Sequence, residues 1–337
     1  MAVNLSLSKA AIWIAALSIG LIFVIALGAW FGALFEQPKQ IARIGYLSPA
    51  WPSPDQAAFE QKLRSLGYRI AESVDVEYRF SEGSDDRLNV LAAQLVDSHV
   101  DVIVALSPEG AKAAQMATRT IPIVFVSISD PVGMGLVESL ARPGGNITGI
   151  ANMPADLNLK RLEVLKDAMP DLRRIGILVR PTNPNSQLHL PSETVVARQL
   201  GLDARVYNIE GWDKFDGVFG AMAQDRMQGV LAIQDSMLFA KRQAMMEAAA
   251  RQRLPVIADS LEYAESNALI AYGVKSYRDL LERAAAYVDK ILRGAKPADI
   301  PIDQPMNIEL AINLKVAREL EIDIPRAMLG RANELLE

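Results

Sequence analysis

The chain has 337 residues, half of them hydrophobic and 22% charged, with a net charge of −5 and no cysteine. That length suits two ordinary globular domains. The lack of cysteine excludes disulfides, thiolate nucleophiles, Cys-ligated zinc and a lipoprotein anchor cysteine, and an acidic balance without a basic block argues against a nucleic-acid surface. The two histidines, His99 and His189, lie far apart among polar neighbours without metal-ligand spacing, and read as surface residues.

The stretch from Ala10 to Phe35 is uncharged and apolar throughout, with Lys9 before it. About 20 apolar residues at ~1.5 Å rise span a bilayer core, so residues 1–36 are expected to form a transmembrane anchor. The rival reading is a cleaved signal peptide, whose apolar core is usually shorter. The positive-inside rule leaves the remainder outside the cytoplasm in either case. The expected location is therefore the periplasmic side of the inner membrane, with the chain either anchored through residues 10–35 or released after cleavage.

After the polar linker EQPKQ the pattern alternates between β-branched runs of strand length and amphipathic runs of helix length. Strands are expected at 41–47, 74–80, 100–106 and 121–126, with helices near 55–66 and 85–98 and a third following SPEGA. Such alternation implies a parallel sheet covered on both faces. Gly144, Gly145 and Gly149 are expected to flank the last strand of this first set. The alternation then restarts, with a helix over 157–169 capped by Asp156, the strand RIGILV (174–179) echoing RIGYL of the first set, and a helix near 192–200. ARVYNI, a helix near 212–224, GVLAI, a helix over 239–253, LPVIAD and NALIAYGV follow. A long amphipathic helix over 277–292, a Pro-rich connection and a strand–helix pair end the chain. The expected fold is thus α/β, two Rossmann-like lobes with parallel sheets joined by a hinge. Lobe 1 takes 37–150 with a tail contribution around 273–298, and lobe 2 takes 151–272 with a tail contribution around 299–337.

In open α/β sheets ligands bind beyond the carboxyl ends of the strands. The residues there are Ser48, Ser107, Ser127 and Asp130 in the first set, and Asn183, Ser186, Asp235, Asp259 and Tyr272 in the second. Serine hydroxyls and helix N-termini suit a small anion, and aspartates suit an ammonium group, so the set suits a polar solute such as an amino acid. Each residue taken alone also fits a cap or a turn. Trp51 at this edge offers a stacking face, or is an ordinary loop residue. There is no GxSxG, Walker or GxGxxG motif and no credible nucleophile–base pair, so no enzyme, cofactor or metal site is expected.

The stretches IPIVFVSISDPVGMGLVESLARPGGNITGI, RIGILVRPTNPNS and YVDKILRGAKPADIPIDQPMNIELAINLKVARELEIDIP resemble the substrate-binding proteins of ABC transporters, of the tryptophan-binding TrpX-like type. The resemblance covers about residues 41–335. It implies a type I periplasmic-binding fold, in which two lobes close on a small-molecule solute that is passed to an ABC permease and its cytoplasmic ATPase. Characterised relatives bind aromatic amino acids. A polar ligand role then falls on Ser48, Ser107, Asp130, Asn183, Ser186 and Asp235, and also on Ser127, Asp259 and Tyr272. Glu109 departs from the small residues that relatives often carry there; pointing inward, it would disfavour an anionic group. A membrane-anchored ligand sensor is the alternative function, and an α/β enzyme a third.

Overall fold

The computed structural model describes residues 41–152, 156–304 and 307–337, so the segment 10–35 expected to meet the membrane lies outside it. Among the described residues no helix is long and apolar enough to cross a membrane.

Five strands build the first sheet: β1 (Ala42–Ser48), β2 (Val74–Phe80), β3 (Val102–Leu106), β4 (Ile123–Ile128) and β5 (Ile147–Ala151). They run parallel in the order β2-β1-β3-β4-β5, with Ile44 opposite both Val76 and Val102. Parallel strands need crossovers, and here these are helices α1 (Gln56–Ser65), α2 (Asp85–Asp97) and α3 (Ser107–Ala117). Successive side chains point to opposite faces. Ile44, Tyr46, Val104 and Val124 therefore meet one helical layer, while Leu47, Ile103 and Phe125 meet α2 and α3 through Leu88, Leu95, Ala111 and Ala114.

The second sheet holds seven strands: β6 (Arg174–Val179), β7 (Asp203–Asn208), β8 (Gly229–Ala232), β9 (Val256–Ser260), β10 (Ile270–Val274), β11 (Ile308–Asn313) and β12 (Glu334–Leu336). Their order is β12-β11-β10-β9-β8-β6-β7, parallel except where β11 runs against β10. The helices of this half are α4 (Asp156–Ala168), α5 (Pro184–Gln199), α6 (Phe215–Gln224), α7 (Ser236–Ala240), α8 (Arg242–Arg251) and α9 (Leu261–Glu265), with α11 (Leu314–Leu320) and α12 (Arg326–Leu329) near the end.

One long helix belongs elsewhere. α10 (Tyr277–Leu292) follows β10 of the second sheet but packs Leu280, Leu281, Ala284, Ala285 and Val288 on Ile44, Tyr46, Val104 and Val124 of the first. Its apolar residues recur at helical spacing, and each fully buried leucine contributes about 1.5–3 kcal/mol. Ser276 caps its start by accepting from Arg278 N–H at 3.1 Å. The chain then stays with β5, where Thr148 Oγ1 donates to Ile300 O and Asp303 bridges Ile150, before returning to β11. It therefore passes between the halves three times: after β5, after β10 and after Asp303.

Several expected bounds move for identifiable reasons. β4 extends to Ile128, so Ser127 lies inside it, at a register irregularity against β5 and with φ +69°. α5 begins at Pro184, whose fixed φ and missing N–H suit a first helical position, so Ser186 is in a helix turn and not in a loop. α4 begins at Asp156 itself, one position before the expected start at Leu157, so Asp156 is its first residue and not its cap. The single helix expected over 239–253 breaks at Lys241. Gly149 lies within β5, where an added Cβ would come 2.3 Å from Phe125 O, so only glycine lets β4 and β5 approach this closely.

Candidate functional site

Strand order reverses between β1 and β3 in the first sheet and between β6 and β8 in the second, and clefts form outside the carboxyl ends at such points. The first contact between the two halves is a polar network. Its centre is Arg180, the residue directly after β6, with its side chain 5% exposed. Arg180 Nε donates to Asp235 Oδ2 at 2.9 Å, Nη1 to Thr182 Oγ1, and Nη2 to Glu109 Oε1 of the first half. Asp85 Oδ1 stands 4.0 Å from Nη1.

Each partner is held from its own side. Asp235 caps α7, its Oδ1 accepting from the N–H groups of Met237 (2.8 Å) and Leu238 (2.9 Å), and Asn183 Nδ2 donates to its Oδ2 at 2.8 Å. Glu109 is in the first turn of α3, and Ser107 Oγ donates to its Oε2 at 2.6 Å. Burial pushes the Glu109 carboxyl above its ordinary range, and Arg180 only partly offsets this. Burial acts against the charge on Arg180, but Asp235 and Glu109 outweigh it and hold the guanidinium above its usual value.

A second bridge lies beside the first. Gln234 of the second half donates to Ser127 Oγ at 3.0 Å and accepts from Ser129 Oγ at 3.3 Å, and Asn152 Nδ2 also reaches Ser127 Oγ at 3.3 Å. Ser107 and Ser127 both adopt positive φ (+68° and +69°). A serine there is strained, and such strain concentrates at ligand sites.

The third cross-cleft contact is aromatic. Trp51 and Trp212 meet edge to face at 5.4 Å, and Lys241 Nζ lies 4.0 Å over the Trp51 ring. Beneath Trp51 is a cavity of ≈ 30 Å³ between the halves, walled by Tyr46, Trp51, Phe239 and Tyr277, with Ser48, Ser236 and Asp55 at its edge. Ser236 Oγ and the Tyr277 hydroxyl are buried and have no hydrogen-bond partner among the described residues. Asp55 is held by Arg278 Nε at 2.9 Å, with Arg242 Nη1 at 4.0 Å from across the cleft. At ≈ 30 Å³ this space holds about one water, so an aromatic ring enters it only with the halves further apart, but its aromatic walls and unpaired hydroxyls have the chemistry of a small-molecule pocket.

Among the sequence-predicted residues, Ser107, Ser127, Asn183 and Asp235 meet in the network, and Ser48 edges the aromatic cavity while its Oγ accepts from Ala50 N at 3.2 Å. Ser186 is buried in the first turn of α5 with its Oγ unpartnered among the described residues. Asp130 is partly buried, and its Oδ1 accepts from Gly133 N–H at 2.7 Å within its own turn. Asp259 and Tyr272 belong to another buried group, around Arg161 of α4. Arg161 Nε donates to Tyr272 O at 2.7 Å, and burial pushes Asp259 up while Arg161 pulls it down. The Tyr272 ring packs on Leu157 and Val274.

Arg180, Gln234, Trp212, Phe239 and Tyr277 were not picked out from the sequence. Arg180 directly follows β6 and Gln234 lies two residues after β8, so the strand-end rule applied to every residue type would have found both. The aromatic residues carry no such signal, because their partners are distant in sequence. Among the described residues no group of three or more His, Cys, Asp or Glu side chains could hold a metal ion.

Comparison with known proteins adds to this geometry. The family described as ABC transporter substrate binding protein matches residues 55–336. A tyrosine-binding protein of Clostridioides difficile is 25% identical over 274 residues, covering 80% of this chain and 78% of its own. The crystal structure of a conserved domain protein from Vibrio cholerae superposes with a TM-score of 0.80 at 26% identity, covering 88% of this chain and 100% of that one. An ABC domain from Streptococcus pneumoniae in complex with L-Trp superposes at 0.79 with 24% identity, covering 88% and 99%.

Proposed function

The chain belongs to the ABC transporter substrate-binding proteins, and from that premise we propose that it captures a small polar solute with an aromatic part between its two halves and hands it to an ABC permease driven by a cytoplasmic ATPase. It works on the outer face of the inner membrane, tethered by residues 10–35 or released after their removal. The observation that carries this reading is the cleft: side chains from both halves complete one network around Arg180, and both halves wall one aromatic cavity.

The mechanism follows from differential contact. A solute seated on Tyr46, Trp51, Phe239 and Tyr277 touches both halves only when they are together, so it shifts the population toward the closed arrangement. The three chain passages between halves form the hinge. The permease reads closure, not the solute itself. The tyrosine-binding relative and the L-Trp complex support an aromatic solute.

The test is thermal melting of the purified full chain against aromatic amino acids, aromatic amines and sugars. A solute at one hundred times its Kd stabilises by about 2.7 kcal/mol, which at this size raises Tm by roughly 4 °C. A panel that raises Tm with no member sinks the reading. The tagged chain is also expected to co-purify from its native membrane with a multi-span permease; capture of a sensor kinase in its place would favour a signalling role.

A further inference from the structure

The polar centre of the cleft is unusually short of positive charge. Arg180 is its guanidinium, and it already serves Asp235 through Nε, Thr182 through Nη1 and Glu109 through Nη2. Glu109 and Asp235 have side chains 9% and 1% exposed, and Asp85 stands 4.0 Å from the same guanidinium. Three carboxylates thus face one cation.

The other place where an anion would be received is equally full. α3 has eleven residues, and its N-terminal turn would ordinarily attract a carboxylate from a solute. Glu109 lies in that turn, and Ser107 Oγ donates to it at 2.6 Å. The chain has supplied its own carboxylate to both anion-receiving elements.

Next to this centre, at the rim of the cleft, a cavity of ≈ 260 Å³ is lined by Gly83, Asp85, Arg180, Thr182, Glu210 and Trp212. Asp85 Oδ1 is buried there with no hydrogen-bond partner among the described residues. Glu210 adds a second carboxylate and Trp212 an indole face. A protonated amine offers three donors to carboxylates and is attracted by the indole π-face. In that cavity a solute carboxylate would meet Asp85, Glu210 and a guanidinium already engaged; Lys241, over Trp51, is not among the residues that line it.

We propose that Glu109 sets the charge of the solute: the group that reaches the Glu109–Arg180 centre is a protonated amine that enters without a carboxylate beside it. This rests on the solute-binding reading above. The cleft is then selective for an aromatic amine over the corresponding α-amino acid, with the ring toward Tyr46, Phe239 and Tyr277 and the amine toward Glu109, Asp85 and Trp212.

The experiment is calorimetric titration of the purified full chain with two matched pairs, tyramine against L-tyrosine and tryptamine against L-tryptophan. The amine of at least one pair is expected to bind about ten-fold or more tightly than its amino acid. Glu109→Gln, which keeps the shape and removes the charge, is expected to bring that ratio within about three-fold. An amino acid that binds wild type as tightly as its amine overturns the proposal. A ratio unchanged in Glu109→Gln overturns the role of Glu109. If that variant does not fold, the wild-type ratio decides alone. Absence of binding in all four titrations overturns the proposal together with the aromatic-solute reading, an outcome distinct from an inverted ratio.

Discussion

Replacing Arg180 by leucine removes the cation that two buried carboxylates share. Asp235 keeps three partners, the N–H groups of Met237 and Leu238 and the Asn183 amide. Glu109 keeps one side-chain partner, the Ser107 hydroxyl. Breaking a buried pair from one side costs about 3–5 kcal/mol, because the remaining charge is left uncompensated. The two carboxylates lie on different halves, which decides where the loss appears. Glu109 can return to water if the halves part, so most of the loss falls on the closed arrangement. Its population relative to the open one is expected to drop roughly a hundred-fold to several thousand-fold. Unfolding free energy, set by Asp235, is expected to fall by only about 1–3 kcal/mol. With a solute that raises Tm present, small-angle scattering should report a larger radius of gyration than for wild type, and urea unfolding a modest shift in midpoint. The double variant Glu109→Leu/Arg180→Leu should recover compactness, since an apolar pair often replaces a buried ion pair without loss. An Arg180→Leu protein with unchanged radius of gyration would refute the reasoning.

The Trp51–Trp212 pair should show a coupling of about 0.5–1.5 kcal/mol in a double-mutant cycle to alanine, read from solute affinity; a coupling of zero would mean that the rings do not hold the halves together. Tyr277→Phe deletes a buried hydroxyl without a described partner, so stability should hold or rise by about 1 kcal/mol while affinity for a solute that bonds to it falls; a loss of stability on urea unfolding would contradict the placement. Glu109 and Asp259 both have carboxyls raised by burial, with Arg180, Asp235 and Asp85 facing the first and Arg161, Glu262 and Asp235 near the second. A carboxyl whose folded value exceeds its unfolded one contributes stability fully below the ordinary carboxylate range and loses it as pH rises through the folded value. Melting temperature should therefore decline from mildly acidic pH toward neutral, with a shallower slope in Glu109→Gln; an equal slope in the variant would remove Glu109 from the account.

Much of the fold was legible in the sequence because hydrophobic period is a local signal. β2, β6 and α10 fall on the expected residues, and the alternation of strands and helices is that of two mostly parallel sheets. α12 and β12 escaped notice because four and three residues carry too little period to register. The site was legible only where strand ends were read for small polar residues. Ser107 and Ser127 were found that way, although their left-handed backbone was not, since nothing in a sequence marks a serine for positive φ. Glu109 was marked as a departure, but its partner Arg180 is 71 positions away on the other half, and pairings of that kind depend on topology. Asp130 was read as facing the cleft, while the same residue type also caps turns, as its bond to Gly133 does here.

The route of the chain has a consequence for its synthesis. The first sheet is complete once Ala151 has been made, yet the face bearing Ile44, Tyr46, Val104 and Val124 waits for α10. That helix ends at Leu292, about 140 residues later, which at 5–20 residues per second is roughly 7–28 s of translation. During that interval the part of this face not covered by Phe59 and Leu63 of α1 stays open to other chains and to chaperones. A gene cut after β5 would give an insoluble product, and the N-terminal half cannot be harvested as a separate module. The two halves are neighbours in space but not independent in time: the nascent chain must be almost complete before its earliest strands are covered.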